Sequence, residues 1–103
     1  MEKKYTLRYL ALAQSDLLDI TNYISEQLFA PEAAIHLVEK FEEAISRLEY
    51  FPYSGRLYRS TGKLKDEYRI LFVESYLIFY IILDNTVEIR RIIYSKRDYL
   101  KLL

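Results

Sequence analysis

The side chains best equipped for chemistry in this sequence fall in its last third. Arg69 follows Tyr68 at the start of a strand-like run. Arg91 interrupts the alternation Val87, Ile89, Ile93 and so sets a guanidinium on an otherwise apolar strand face. Tyr94-Ser95-Lys96-Arg97-Asp98 then closes that run with a phenol, two cations and a carboxylate. A planar guanidinium fork bonds phosphate or carboxylate oxygens in pairs, so these residues point to an anionic ligand. Structural roles suit them as well: Arg69 as the ion-pair partner of Glu67 or Glu88, and Asp98 as the cap of a final helical turn. The eleven tyrosines read better as half-buried strand residues with a wet hydroxyl than as base-stacking platforms.

Several other chemistries lack the residues to carry them. With no cysteine in the chain, neither a disulfide framework nor a thiolate metal site can form. There is no Gly-rich phosphate loop and no HExxH. His36, the sole histidine, lies mid-helix with Glu32 and Lys40 at helical spacing from it. It is expected to face water, away from any acid–base partner. Charge is balanced overall but not along the chain. Residues 1–55 hold five Lys/Arg against nine Asp/Glu, and residues 56–103 hold ten against six. Such asymmetry fits an anionic partner for the basic half, or an ordinary mixed surface.

The elements that must position these residues follow from periodicity. Tyr5 to Tyr9 alternates as a short strand. Ala13, Leu17, Ile20, Ile24 and Leu28 then recur at helical spacing. Phe29-Ala30-Pro31 breaks that helix, and Pro31 suits the first position of the next, whose stripe is Ala34, Leu37, Val38, Phe41, Ile45 and Leu48. Phe51-Pro52 ends it, so the two helices form an antiparallel hairpin. Tyr53–Arg56 and Ser60–Lys63 read as turns or loop. Tyr68–Val73, Tyr76–Leu83 and Val87–Tyr94 are strands joined by two-residue turns at Glu74-Ser75 and Asp84-Asn85. Tyr76–Leu83 is apolar on both faces and belongs inside the sheet. Asp98 to Leu103 adds a last helical turn. The sum is an α+β fold, a helical hairpin packed on an antiparallel meander, with residues 1–103 forming one domain. The longest apolar run, Tyr76 to Leu83, is far shorter than the ~20 residues that span a bilayer. Residues 1–8 lack the apolar stretch of a signal peptide, so a soluble cytoplasmic protein is expected.

The ordered set of motifs resembles the RelE/ParE superfamily of type II toxins over nearly the whole chain. Ala13-(x)2-Asp16-Leu17-(x)2-Ile20-(x)2-Tyr23-Ile24 is similar to the family's first helix, and Phe51-Pro52-Tyr53-Ser54-Gly55 to the segment after its second. Tyr68–Val73 with Tyr76–Tyr80, and Arg91–Tyr99, resemble its strands and close the set. The resemblance implies a protein neutralised by a cognate antitoxin. It also implies one of two targets: the ribosome, where RelE-like members cut mRNA without a metal, or DNA gyrase, which ParE-like members inhibit without catalysis. A toxin that has lost its activity and only binds its antitoxin is the third reading.

Ribosome-dependent cleavage is the first expectation. The reaction is attack of a 2′-hydroxyl on the adjacent phosphorus. It needs a base, an acid for the leaving 5′-oxygen, and cations for the charge developing on phosphate. By resemblance Arg69 and Arg97 would hold that charge, and Tyr94, standing where many members have histidine, would transfer the proton. Lys96 would support both, while Lys63, Lys65 and Arg91 would bind substrate. No cofactor or metal is implied.

Overall fold

The computed structural model describes residues 4–58 and 66–103. Lys63 and Lys65 lie outside the described residues. Strand β1 (Thr6–Tyr9) leads into helix α1 (Ala11–Asn22), which winds on as a wider π-helical turn over Tyr23–Gln27. Helix α2 (Pro31–Ser46) follows, with Pro31 in its first turn. Then come β2 (Arg56–Leu57), β3 (Arg69–Val73), β4 (Tyr76–Leu83) and β5 (Thr86–Tyr94). A 3-10 turn at Tyr99–Leu102 ends the chain where the last helical turn was expected. Asp98 stands at its start, but its carboxylate pairs with Lys101 at 3.6 Å instead of capping a backbone N–H.

The strands form one sheet in the order β1-β5-β4-β3-β2. The meander β3-β4-β5 is antiparallel as its turn residues require. Glu74 and Asp84 take φ of 52° and 53°, as tight hairpin turns ask of their central residues. Two features complete the sheet beyond the sequence reading. Arg56, which read as turn or loop, instead joins Leu57 in a short edge strand paired with β3. The first strand lies parallel to the last, Thr6 to Tyr9 against Thr86 to Ile89.

The helical hairpin covers one face of the sheet. Ala13, Leu37, Phe41, Ala44, Ile45 and Leu48 pack there on Val73, Ile78, Tyr80, Val87, Ile89 and Ile92. Leu28 departs from the expected stripe and is more than half exposed. The π turn, closed by Leu28 N–H donating to the Tyr23 carbonyl at 3.1 Å, adds a residue to the last turn and rotates Leu28 off the buried face. The opposite face carries Tyr68, Ile70, Leu77, Phe79, Ile81 and Ile93, covered by Tyr58, Tyr99, Leu102 and Leu103. Covers on both faces explain why β4 is apolar on both.

A bulge decides where β5 aims its side chains. Pairing runs from Tyr76↔Tyr94 to Phe79↔Arg91 and then jumps to Tyr80↔Ile89, leaving Arg90 extra. The extra residue reverses the in–out alternation. Ile93 therefore lies in the cluster opposite that of Val87 and Ile89. Arg91 is not on their face, contrary to the simple alternation.

Two polar devices hold the sheet to its surroundings. The fully buried Tyr80 hydroxyl donates to the Pro52 carbonyl at 2.7 Å and accepts from Gly55 N–H at 2.9 Å. A β-carbon at position 55 would stand 2.3 Å from that hydroxyl, so only glycine admits the phenol. Across β1 and β5, the buried Glu88 carboxylate bonds both Arg8 and Arg90. Burial alone would push Glu88 up, but the two guanidiniums outweigh it and hold the carboxyl below its usual range.

Tyr80→Phe will strand two buried backbone groups and lower stability by about 2 kcal/mol, read as a reduced urea midpoint. Glu88 gives a pH signature. Its depressed carboxyl contributes stability that is complete above the ordinary value of 4.5 and is lost as pH falls through the lower folded value. Glu88→Gln will flatten that acid limb in a series of thermal melts between pH 3 and 6 (pH range roughly bracketing carboxylate titration).

Candidate functional site

Strand β1 covers only the first half of β5, ending opposite Ile89. Beyond it the outer edge of β5 needs other partners for its backbone. Helix α1 supplies one. Asp16 accepts from Arg91 Nε at 2.7 Å and Nη2 at 2.9 Å, and its Oδ2 also takes the Ile92 N–H at 2.9 Å. The same guanidinium donates through Nη1 to the Leu102 carbonyl at 2.8 Å, which ties the C-terminal turn to the strand. Arg91 and Asp16 side chains are 16% and 14% exposed. The bond to Asp16 raises the Arg91 guanidinium further above its ordinary value, against the effect of burial. Arg91 is thus a charge already matched by the protein.

Past this pair a groove of about 840 Å³ opens between the end of α1 and the uncovered edge of β5. Ile20, Tyr23, Ile24 and Leu28 form its helical wall. Tyr76, Ile92, Tyr94 and Arg97 form the sheet side. Tyr94 packs on Tyr76, centroids 5.7 Å apart. Burial, then the neighbouring phenols Tyr94 and Tyr23, pushes the Tyr76 phenol up, so it stays protonated near neutral pH. Arg97 is exposed, and its backbone N–H closes the turn onto the Tyr94 carbonyl at 3.0 Å. Lys96 is exposed beside it. The groove is therefore a mainly apolar trough whose charged lining is Arg97, Asp19 and the mutually paired Asp16 and Arg91.

Of the residues singled out from the sequence, Tyr94, Arg97 and Arg91 meet at this groove and Lys96 flanks it. Arg69 does not join them. It pairs in register with Tyr80, whereas Tyr94 pairs with Tyr76. The two positions are thus four residues apart along β4, roughly 13 Å, with that strand between them. Arg69 bonds neither Glu67 nor Glu88. Its Nη1 donates to the Gly55 carbonyl at 2.9 Å and the Tyr53 carbonyl at 3.3 Å, and its guanidinium lies 5.0 Å from the centre of the Tyr53 ring. His36 is exposed on α2, as its neighbours implied. Among the described residues no group of three His, Asp or Glu is placed to hold a metal ion. No helix among them is long and apolar enough to cross a membrane.

Sequence reasoning missed Asp16. It stood inside the first-helix motif but had no assigned role, because its partners lie 75 and 76 residues away. The groove wall of Tyr23 and Leu28 was missed too, since periodicity assigned Leu28 to the core.

A family profile described as ParE toxin of type II toxin-antitoxin system, parDE, matches residues 7–99. Among curated proteins no match is found. Solved structures share the fold. The chromosomal ParDE system from P. aeruginosa superposes with a TM-score of 0.75 at 21% identity, covering 91% of this chain and 99% of that one. The RelBE2 toxin-antitoxin complex from Mycobacterium tuberculosis gives 0.59 at 24% identity, covering 88% and 98%. The E. coli DinJ-YafQ toxin-antitoxin complex gives 0.59 at 13%, covering 97% and 98%.

Removing the carboxylate in Asp16→Ala will leave Arg91 unpaired and the Ile92 N–H open, destabilising the fold by roughly 3 kcal/mol. Asp16→Asn, which keeps an acceptor for the Ile92 N–H, will cost less; chemical denaturation of the two variants side by side measures the difference.

Proposed function

This chain belongs to the ParE family of type II toxins, and from that premise we propose that it acts by binding its target, DNA gyrase, rather than by cutting RNA. The observation that carries this reading is the dispersal, among the described residues, of the cations a nuclease would need. Arg69 stands four residues along β4 from Tyr94, with that strand between them, and is engaged by two backbone carbonyls. Arg91 is neutralised by Asp16. Among the described residues this leaves at the groove one guanidinium, Arg97, with Lys96 flanking it, beside a phenol, which is a weak base near neutral pH. Phosphoryl transfer needs several charges converging on one phosphate. The match to a ParE profile over most of the chain supports the same reading.

The regulator of such a toxin is a cognate antitoxin, a partner also present in the three solved complexes that share the fold. The groove between α1 and the open edge of β5 suits it. Apolar side chains line it, strand edge lies along one side, and Arg97 offers a charge for a partner carboxylate.

The test is to induce the protein briefly in cells and assay it in parallel against purified DNA gyrase. Inhibited supercoiling with intact cellular transcripts is expected. New 5′ ends within translated codons, lost in Arg97→Ala, would replace this reading with ribosome-dependent cleavage. Induction without growth arrest would mark a chain that only binds its antitoxin.

A further inference from the structure

The tip of the helical hairpin breaks a local rule and receives nothing for it inside the molecule. Phe29 takes φ of 53°, the left-handed region that a β-carbon disfavours and bulky residues seldom enter. Helices often end on such a residue, but glycine is its usual occupant. Here the side chain is a phenyl ring that is 87% exposed, the most exposed of the large apolar residues described. Leu28 and Tyr23 beside it are also more than half exposed. The π-helical turn they flank is a form often found at functional positions. Phe29 itself does not line the groove beside β5.

Charge around the tip selects the kind of partner. From Tyr9 to Glu39 the sequence carries five carboxylates, Asp16, Asp19, Glu26, Glu32 and Glu39, and no lysine or arginine. Asp16 is matched by Arg91, while Glu26 and Glu32 stand exposed on either side of the tip. Such a surface is repelled by a phosphate backbone and attracted to a protein surface rich in lysine and arginine.

We propose that Phe29, supported by Leu28 and Tyr23, is the anchor by which this protein docks its hairpin tip into an apolar pocket, framed by lysine and arginine, on its protein target. The inference rests on the reading that the chain inhibits by binding a protein. A rigid aromatic side chain entering a desolvated pocket is the kind of contact that dominates an interface. Pro31 at the start of α2 restricts the backbone beside the tip, so less backbone freedom is lost on docking.

The experiment titrates the supercoiling activity of purified DNA gyrase with the wild-type chain and with Phe29→Gly, Phe29→Leu and Glu26→Gln/Glu32→Gln. Glycine suits the left-handed position, so Phe29→Gly will melt at or above the wild-type temperature. Its half-inhibitory concentration will nonetheless rise by roughly tenfold or more. A purely structural role for Phe29 would move stability and inhibition together. Phe29→Leu will retain more inhibition than Phe29→Gly. The double glutamine variant will weaken inhibition at low salt and flatten its salt dependence. Full inhibition by folded Phe29→Gly at the wild-type concentration would overturn the proposal. A wild-type chain that leaves gyrase untouched would remove the target and this inference with it, and that failure is seen before any variant is made.

Discussion

The last strand has nine residues and the strand covering its outer edge has four. A sheet cannot leave buried backbone groups at such an edge without partners, and this mismatch organises the functional end of the molecule. Asp16 closes the gap from α1 by taking the Ile92 N–H together with the Arg91 guanidinium. One carboxylate thus replaces a stretch of strand pairing and fixes where α1 lies against the sheet. The groove exists because a helix closes that edge less completely than a strand would. Its helical wall, its strand edge and the Arg97 at its end all follow from that substitution.

The far end of the sheet is organised by a different tie. Tyr80 reaches from the central strand to the Pro52–Gly55 turn, and Gly55 is what makes room for its ring. The same turn then offers two carbonyls to Arg69. Arg69 and Arg97 are therefore fixed by separate devices at separate places, and β4 stands between them. A cation held by backbone carbonyls stabilises a turn. A cation free at the lip of an apolar trough can meet a partner. The two residues have the same chemistry and different uses, which is why function is argued from sites and not from the fold.

Charge follows the same division. The carboxylates gather on the helical hairpin, where Asp16 alone among them is spent on the sheet. The arginines gather on the sheet, where Arg8 and Arg90 enclose Glu88 and Arg91 is held by Asp16. Among the described residues, the acidic hairpin tip and the basic corner at Lys96 and Arg97 are two surfaces that no ion pair neutralises. Protein partners of opposite charge fit the two surfaces better than one partner does.

By itself the sequence determined the elements and their class. The β-branched and aromatic content of Tyr68–Val73 and the apolar run Tyr76–Leu83 marked the central strands, Pro31 the start of the second helix, and Glu74-Ser75 and Asp84-Asn85 the hairpin turns. These are local signals, carried by residues at most a few positions apart. Its end-to-end motifs also pointed to the right superfamily. The tertiary structure alone decided how β5 presents its arginines, because a single bulged residue at Arg90, set by register against β4, reverses every side chain beyond it. It alone set β1 parallel to β5, put Asp16 on Arg91, and separated Arg69 from Arg97. Each of these depends on a partner beyond the reach of local periodicity, 14 residues away for Arg69 and 75 for Arg91. Periodicity records which face of an element is buried; it holds no record of which distant group completes a hydrogen bond.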